Sequence, residues 1–474
     1  LLQSCYQHPH VDEQNTSIIP IHQETIMAAK EQQAQERALV KEALKIGPQA
    51  DRRQFFVSAA AFGAAASVSP LAMSQQATAP AVPARKALLK DDSRLLNIGA
   101  TVRSGNYWDF NTYMTPVEQF YVRNHYPTPL VEAKPVLDPK QWKMKIHGNA
   151  VERSIEISYE DLMKMPSRTV IATMECHGNG RSLFWEQQDQ MQVAGGNWVL
   201  GAIGQAEWQI VPLSHIFGLV GLKKDAKSAL FWSGVDGADM GRPMPVAEIL
   251  SRADDIGICF KMNGNDLTAD HGAPVRMLVP GWGGTASIKW VTEMRVDNHQ
   301  HWVRLNTRGE TYIGSDYAAP AIGANDEFIG GITPADVKGP MVTWMPIKTL
   351  ITVPLVLEKS PSIPANYPLK RGEWPLMSNG KQVVRGYAWA PQHGIRQVEY
   401  RVDGGSWQRA NIQGPNLGRY TWVRFDFVWD ARPGDHVIET RGIDMAGNVQ
   451  TATVPFNQLG MANSAIPKFK IRVV

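Results

Sequence analysis

Hydrophobic and polar positions alternate over Trp142-Lys143-Met144-Lys145-Ile146-His147, the period of two that a half-buried strand requires. Residues 159–165 read as a short helix, and 168–174 as a β-branched run leading into a glycine-rich loop at 175–181. Further on, 246–251 reads as a short helix, 255–262 as a strand, and 287–296 as another strand of alternating character. This mixture predicts an α+β domain over 106–338, its functional residues mostly on connections. Past a boundary at 336–345 the pattern changes to short strands at 348–353, 383–390, 395–402, 420–429 and 436–443. Turn signals such as Asp403-Gly404-Gly405 separate them, so residues 339–474 are expected to form an all-β, immunoglobulin-like sandwich. No internal repeat of solenoid length is present.

The N-terminal part obeys other rules. Arg52-Arg53-Gln54-Phe55-Phe56 precedes a weakly apolar, alanine-rich run at 57–66, followed by Pro70 and small residues to 81. Serines, Gly63 and Pro70 interrupt this run, which falls short of the ~20 apolar residues a bilayer span needs. Residues 27–82 are therefore expected to be a twin-arginine export signal, with translation starting at Met27 and residues 1–26 not translated. Residues 83–105 are expected to be an irregular linker, and the mature protein to be periplasmic without a membrane span.

Composition narrows the classes of partner. Lys+Arg 48 against Asp+Glu 45 gives a net charge of +3, too balanced for nucleic acid or a membrane surface as the main partner. The three cysteines, Cys5, Cys176 and Cys259, form no CxxC pair and no haem-attachment motif. No GxGxxG follows a strand and no Walker-type loop is present, which sets aside nicotinamide and phosphoryl chemistry.

Cys176 stands in Glu175-Cys176-His177-Gly178-Asn179-Gly180-Arg181. The glycines permit a tight turn and close approach to a bulky group, while Arg181 supplies a positive charge that lowers a thiol pKa and grips anions. A thiolate so placed suits a soft transition metal. Taken alone, the heptad favours the plainer reading of a buried structural cysteine in a glycine turn.

Four further segments shift that balance: Phe120-Tyr121-Val122-Arg123-Asn124-His125, Gly234-Val235-Asp236, Asp270-His271-Gly272-Ala273-Pro274-Val275-Arg276 and Ser287-Ile288-Lys289-Trp290. Together with the cysteine loop and in this order, they resemble the sulfite oxidase family of molybdenum enzymes from about residue 106 to the C-terminus. The resemblance implies Mo-molybdopterin with the Cys176 thiolate as its protein ligand, and no haem in this chain. It implies an anion pocket with Arg123 and Arg181, walled by Trp198, and cofactor contacts from Tyr121, Val122, Arg123, Asn124, His125, Cys176, Asp236, His271, Arg276, Ser287, Ile288 and Lys289. Sulfite would be oxidised to sulfate by oxygen-atom transfer, with a separate c-type cytochrome as electron acceptor, and the sandwich would mediate a homodimer or a heteromer with a cytochrome subunit.

One departure leaves the substrate open. Where animal and plant members carry a pocket tyrosine five residues beyond Trp302, this chain has Thr307, followed by Arg308-Gly309-Glu310-Thr311-Tyr312. That pattern is closer to the molybdenum subunit of sulfane dehydrogenases, which act on sulfur bound to a carrier protein. Tyr312 from a shifted loop is an alternative source of the phenol. Nitrate reduction on a related core and a non-enzymatic binding module are the remaining readings.

Overall fold

The computed structural model describes residues 88–131, 133–193, 195–233, 235, 240–352 and 376–474, and 84–474 group as one compact unit. The export signal expected at 27–82, residues 1–26 with Cys5, and Asp236 lie outside the described residues.

Strands dominate, and the longest helix among the described residues, Leu213–Val220, has eight residues. The expected α+β mixture is therefore strand-rich, because the apolar runs are short and bracketed by glycine and proline, so most backbone groups pair between strands. One five-stranded sheet runs β5 (Ile155–Ser158), β4 (Lys143–His147), β13 (Val291–Asp297), β8 (Ser228–Ser233), β9 (Gly241–Pro245). A second runs β11 (Asn265–Asp266), β10 (Gly257–Met262), β7 (Ile203–Pro212), β6 (Arg168–Glu175), with β12 (Arg276–Leu278) paired to β10. Met144, Ile146, Phe231, Val291, Met294 and Val296 of the first sheet share a buried core with Ile258, Phe260 and Met277 of the second. Burying each such side chain contributes roughly 1.5–3 kcal/mol.

Two expectations are corrected. Residues 95–105, in the stretch expected as linker, form the hairpin β1 (Leu95–Gly99) and β2 (Val102–Gly105), which pairs with β3 (Val122–Arg123). Leu88 and Leu95 bury themselves against Val122, and Arg103 pairs with Asp92 at 2.6 Å, so this segment is integral to the fold. Residues 287–290 do not extend the strand that begins at Val291. Trp290 takes a φ of 54°, and the chain turns there so that 287–290 enter the site described below.

The C-terminal half contains two sheets. One is β16 (Lys348–Thr352), β18 (Gly380–Trp389), β22 (Val423–Ala431), β21 (Asn411–Gln413). The other is β17 (Leu376–Met377), β24 (Lys468–Val473), β23 (Gly434–Asp444), β19 (Ile395–Val402), β20 (Gln408–Arg409). Leu350, Val384, Trp389 and Phe425 of the first share a core with Ile395, Val398, Ile438 and Ile471 of the second. Asp403 and Gly404 both have positive φ, 51° and 72°, and Gly405 N donates to Val402 O, closing β19 with the turn its sequence signals. A small parallel pair, β14 (His301–Trp302) and β15 (Glu327–Phe328), lies beside the first domain's sheets in sequence order.

Candidate active site

The cysteine loop starts where β6 ends. Glu175 pairs in register with Ile203 of β7, and Cys176 N then donates to Ala202 O at 2.9 Å, so the thiol is delivered by the last rung of a ladder. Gly180 takes a φ of 86°, a conformation that favours glycine, and turns the loop back toward residues 198–199. A Cβ at Gly283 would lie 2.0 Å from His177 Nε2, so that position has to be glycine for the loop to close.

Two buried carboxylates flank the loop. Glu175 accepts from Lys348 Nζ of β16 at 2.7 Å, Asn179 Nδ2 at 2.8 Å and Trp389 Nε1 of β18 at 2.7 Å. Lys348 also donates to Asn179 O at 2.8 Å. The C-terminal sheet thus holds the cysteine loop from behind. Glu310 Oε2 lies 2.7 Å from His177 Nδ1. Burial pushes the Glu310 carboxyl up, but the His177 contact and Arg242 outweigh it and hold the group at about 2, ionised at neutral pH.

Cys176 opens into a pocket with Tyr121, Arg123, Asn124, His125, His271, Arg276, Ser287, Ile288 and Lys289, so ten of the expected residues meet on one concave surface. Phe120, Met174, Met240, Gly284, Thr285 and Trp290 complete the wall. Among the described residues lining it there is no carboxylate, while two arginines and a lysine face it. Burial pushes the Cys176 thiol up, with Glu310 adding to it, and Arg123 and Arg181 pull it down. Burial drives Lys289 well below the usual ammonium range, and Arg276 is the next cause. His125 falls to about 3 through burial and the neighbouring Arg123, and burial, Lys90 and Lys289 hold His271 neutral.

Three expected residues stand outside this lining. Val122 packs its side chain on Leu88 and Leu95. Arg181 lies beneath the loop, donating Nε to Leu459 O at 3.1 Å and Nη1 to Gly196 O at 3.3 Å, with Nη2 3.7 Å from Met461 Sδ. Trp198 is buried with its ring edge-on to Tyr121 at 6.1 Å, and its Cδ1 lies where a Cβ on Gly178 would approach to 3.1 Å. Thr307, at the position of the absent tyrosine, is buried and turns its hydroxyl onto Val303 O at 2.9 Å. Tyr312 stacks on Tyr317 at 4.9 Å and packs with Val342 and Met461, so it does not line the pocket either. Tyr121 is the phenol in the wall.

Several contributors carried little or no sequence signal. Lys90 donates to Val117 O and Phe120 O at 2.6 and 3.0 Å and approaches His271 Nε2 at 3.4 Å. The amides of Leu89 and Lys90 cap the Asp270 carboxylate at 2.8 and 2.5 Å. Residues 459–463 return from the C-terminal end onto the cysteine loop, Ala462 N donating to His177 O at 2.6 Å. Glu310 sits in the segment Thr307 to Tyr312, whose sequence departs from the family pattern without signalling a role for the carboxylate. Cys259 is the bland case: buried, its thiol pushed up to about 12 by burial, with Sγ 3.4 Å from Lys261 O.

The donor set fits an anionic, sulfur-ligated cofactor. Arg276 donates to His271 O, Ser287 O and Met174 Sδ, yet its buried Nε has no partner among the described residues. An unmatched buried donor is costly unless a ligand meets it. Lys289 donates to Asn124 Oδ1 at 2.5 Å and Asp270 O at 2.6 Å, and an anionic ligand would favour its charged form, which has a third N–H to offer. A thiol, a thioether and clustered cations suit a soft metal on a phosphorylated organic ligand.

Comparison with known proteins agrees. Residues 131–303 match the family described as "Oxidoreductase molybdopterin binding domain", and 366–474 match "Mo-co oxidoreductase dimerisation domain". Mitochondrial sulfite oxidase of Mus musculus is 27% identical over 381 residues, covering 76% of this chain and 62% of that protein. Sulfite oxidase of Arabidopsis thaliana is 26% identical, covering 77% of this chain and 89% of its own length. Nitrate reductase [NADH] of Ulva prolifera is 28% identical, over 76% of this chain and 40% of its length. The chain spans about 62% of the length of the mouse and rat relatives. Among solved structures, the sulfane dehydrogenase SoxCD from Paracoccus pantotrophus superposes with a TM-score of 0.61 at 24% identity, over 78% of this chain and 84% of that one, a likeness of fold.

Proposed function

We propose that this chain, which belongs to the sulfite oxidase family and takes Mo-molybdopterin as its cofactor, is a periplasmic sulfite dehydrogenase exported by the twin-arginine route. The observation that carries the reading is the pocket in which the Cys176 thiol faces Arg123, Arg276 and Lys289 with no carboxylate among the described lining residues, a setting for an anionic cofactor and an oxyanion together. The bound cofactor supplies two-electron oxygen-atom transfer to sulfur. In the net reaction sulfite and water give sulfate, two protons and two electrons, and a separate c-type cytochrome takes the electrons one at a time.

The residues divide this work. Cys176 would hold the metal as thiolate: burial raises the thiol, Arg123 and Arg181 offset part of that, and the metal's own charge would favour the ionised form. Arg123 grips the substrate oxyanion with a fixed fork of donors and stabilises the charge that develops on it. Arg276, Lys289 and neutral His271 bind the pterin and its phosphate. Arg181 and Trp198 act as positioning residues, Arg181 by fixing residues 459–461 beneath the loop and Trp198 by backing Tyr121 and Gly178. The C-terminal sandwich, immunoglobulin-like in its strand pattern, serves as the assembly domain of a homodimer or of a heteromer with a cytochrome.

A second reading has one observation in its favour: Thr307 and Tyr312 both turn away, leaving the pocket without the phenol that animal and plant members place there. A pocket missing that group would suit sulfur delivered on a carrier protein, as in a sulfane dehydrogenase. Steady-state reduction of cytochrome c by the molybdenum-loaded protein, with free sulfite as sole donor, separates the two. Saturable turnover supports the sulfite dehydrogenase. Absence of turnover at full molybdenum occupancy refutes it and favours the carrier-bound substrate.

A further inference from the structure

We propose that Asp297, His299, His301 and Glu327 form a second metal site, for a zinc-class divalent ion, separate from the pocket at Cys176. The sequence Asp297-Asn298-His299-Gln300-His301 places three potential ligands at alternate positions where β13 passes into β14, and β15 brings Glu327 alongside. One ligand atom from each residue lies within 4.8 Å of the others. His301 Nε2 is 2.8 Å from Asp297 Oδ2 and 3.9 Å from Glu327 Oε2, while His299 Nε2 is 3.3 Å from Glu327 Oε2 and 4.0 Å from Asp297 Oδ2. Zinc bonds of about 2.0–2.2 Å put tetrahedral ligand atoms roughly 3.3–3.6 Å apart. These four separations straddle that span and need only sub-ångström adjustment, and the remaining two pairs lie within 4.8 Å.

The surroundings resemble a supporting shell. His301 Nδ1 lies 3.1 Å from Ser228 Oγ, and His299 Nδ1 lies 3.4 Å from Asn298 Oδ1, so both imidazoles turn Nε2 inward. Among the described residues Arg295 is the one cation paired with both carboxylates of the cluster, with Nε 2.5 Å from Asp297 Oδ2 and Nη2 2.9 Å from Glu327 Oε2. Two carboxylates and one guanidinium still leave a unit negative charge, and Arg295 then serves as the partner that orients both carboxylates. Two imidazoles with two carboxylates select zinc-like ions over calcium or magnesium. The Glu327 side chain is 34% exposed, which gives the ion a route in. Bound there, it would clip β15 to β13 and β14.

The test uses the full, tag-free, molybdenum-loaded chain with cobalt(II) as a visible probe and zinc as competitor. One equivalent of cobalt with the intense absorption of a tetrahedral site, displaced by zinc, is expected, together with an unfolding midpoint that rises with added zinc. Glu327→Gln and His299→Gln, both at half-buried positions, are expected to weaken cobalt binding by about 100-fold or more and to abolish the zinc-dependent rise. Ser228→Ala should weaken it roughly 10–100-fold through the His301 tautomer. Failure of the wild-type chain to bind cobalt overturns the proposal. So does unchanged binding in Glu327→Gln and His299→Gln, which would put the ion elsewhere, His8 and His10 included.

Discussion

Lys348→Met tests whether the cysteine loop depends on the C-terminal sheet. Lys348 and Glu175 are each 2% exposed, and the ammonium makes two contacts, to Glu175 Oε1 and Asn179 O. Removing one partner of a buried pair costs about 3–5 kcal/mol, because the other charge stays in a poor solvent. Glu175 keeps Asn179 Nδ2 and Trp389 Nε1 as donors, so the lower end, about 3 kcal/mol, is expected. For a unit spanning 84–474, about 390 residues, an unfolding entropy of ~2 cal/mol/K per residue converts this to a fall of ~4 °C in midpoint. Circular dichroism melts at one scan rate, with molybdenum content measured in parallel, provide the assay. Glu175→Gln with Lys348→Met removes the stranded charge while leaving an acceptor for Trp389, and should recover at least half of the loss. A midpoint within 1 °C of wild type in the single variant, or a double variant no better than the single, would refute the reasoning.

Cys176→Ser should retain the pterin, read by its fluorescence after release, yet lose most molybdenum and all sulfite-dependent cytochrome reduction. Arg123→Met, which removes a charged donor from the pocket wall, should raise the KM for sulfite about 10–100-fold, as expected for ~1.5–3 kcal/mol per charge-assisted hydrogen bond. Arg181→Met should instead lower the thermal midpoint and molybdenum retention, since its donors end on Leu459 O and Gly196 O beneath the loop. Glu310 is held from 4.5 down to about 2, so its stabilisation is full above pH 4.5 and is lost as pH falls through 2, about 3 kcal/mol in all. Urea midpoints between pH 5 and 3 should fall more steeply in the wild type than in Glu310→Gln; parallel slopes would refute that role.

What the sequence revealed was set by the range of each signal. Alternation along Lys143–His147 and the positive-φ turn at Asp403-Gly404 are local, and both appear where the pattern puts them. Ser287 to Trp290 read as strand because their apolar and polar residues alternate; their conformation is decided by Arg276, which donates to Ser287 O, and by Lys289 reaching Asn124. The pocket itself was legible because its residues cluster in short motifs of charged and glycine residues. Lys90, Lys348 and Met461 were not, since each acts over a separation in chain that no periodicity reports. Arg181 shows the limit of a motif: its place beside Cys176 is legible, but the direction of its guanidinium depends on Gly195 and on residues 459–461.

The arrangement of charge explains why so many ionised groups surround one thiol without cancelling its use. Glu175 and Glu310 flank Cys176, and Glu310 raises the thiol even with His177 beside it, so a carboxylate without any partner would raise it further and repel an oxyanion. Each has a partner that limits this effect, Lys348 for Glu175 and His177 with Arg242 for Glu310. The cationic side chains that remain, Arg123, Arg276 and Lys289, face inward, where burial disfavours the charged forms of Arg276 and Lys289 and the Asp270 carboxylate only partly offsets it for Lys289. That imbalance is a cost to the empty fold which an anionic cofactor removes. Cofactor loading should therefore raise the unfolding midpoint more at low salt than at high salt, and more in the wild type than in Lys289→Met, where one source of the imbalance is already gone.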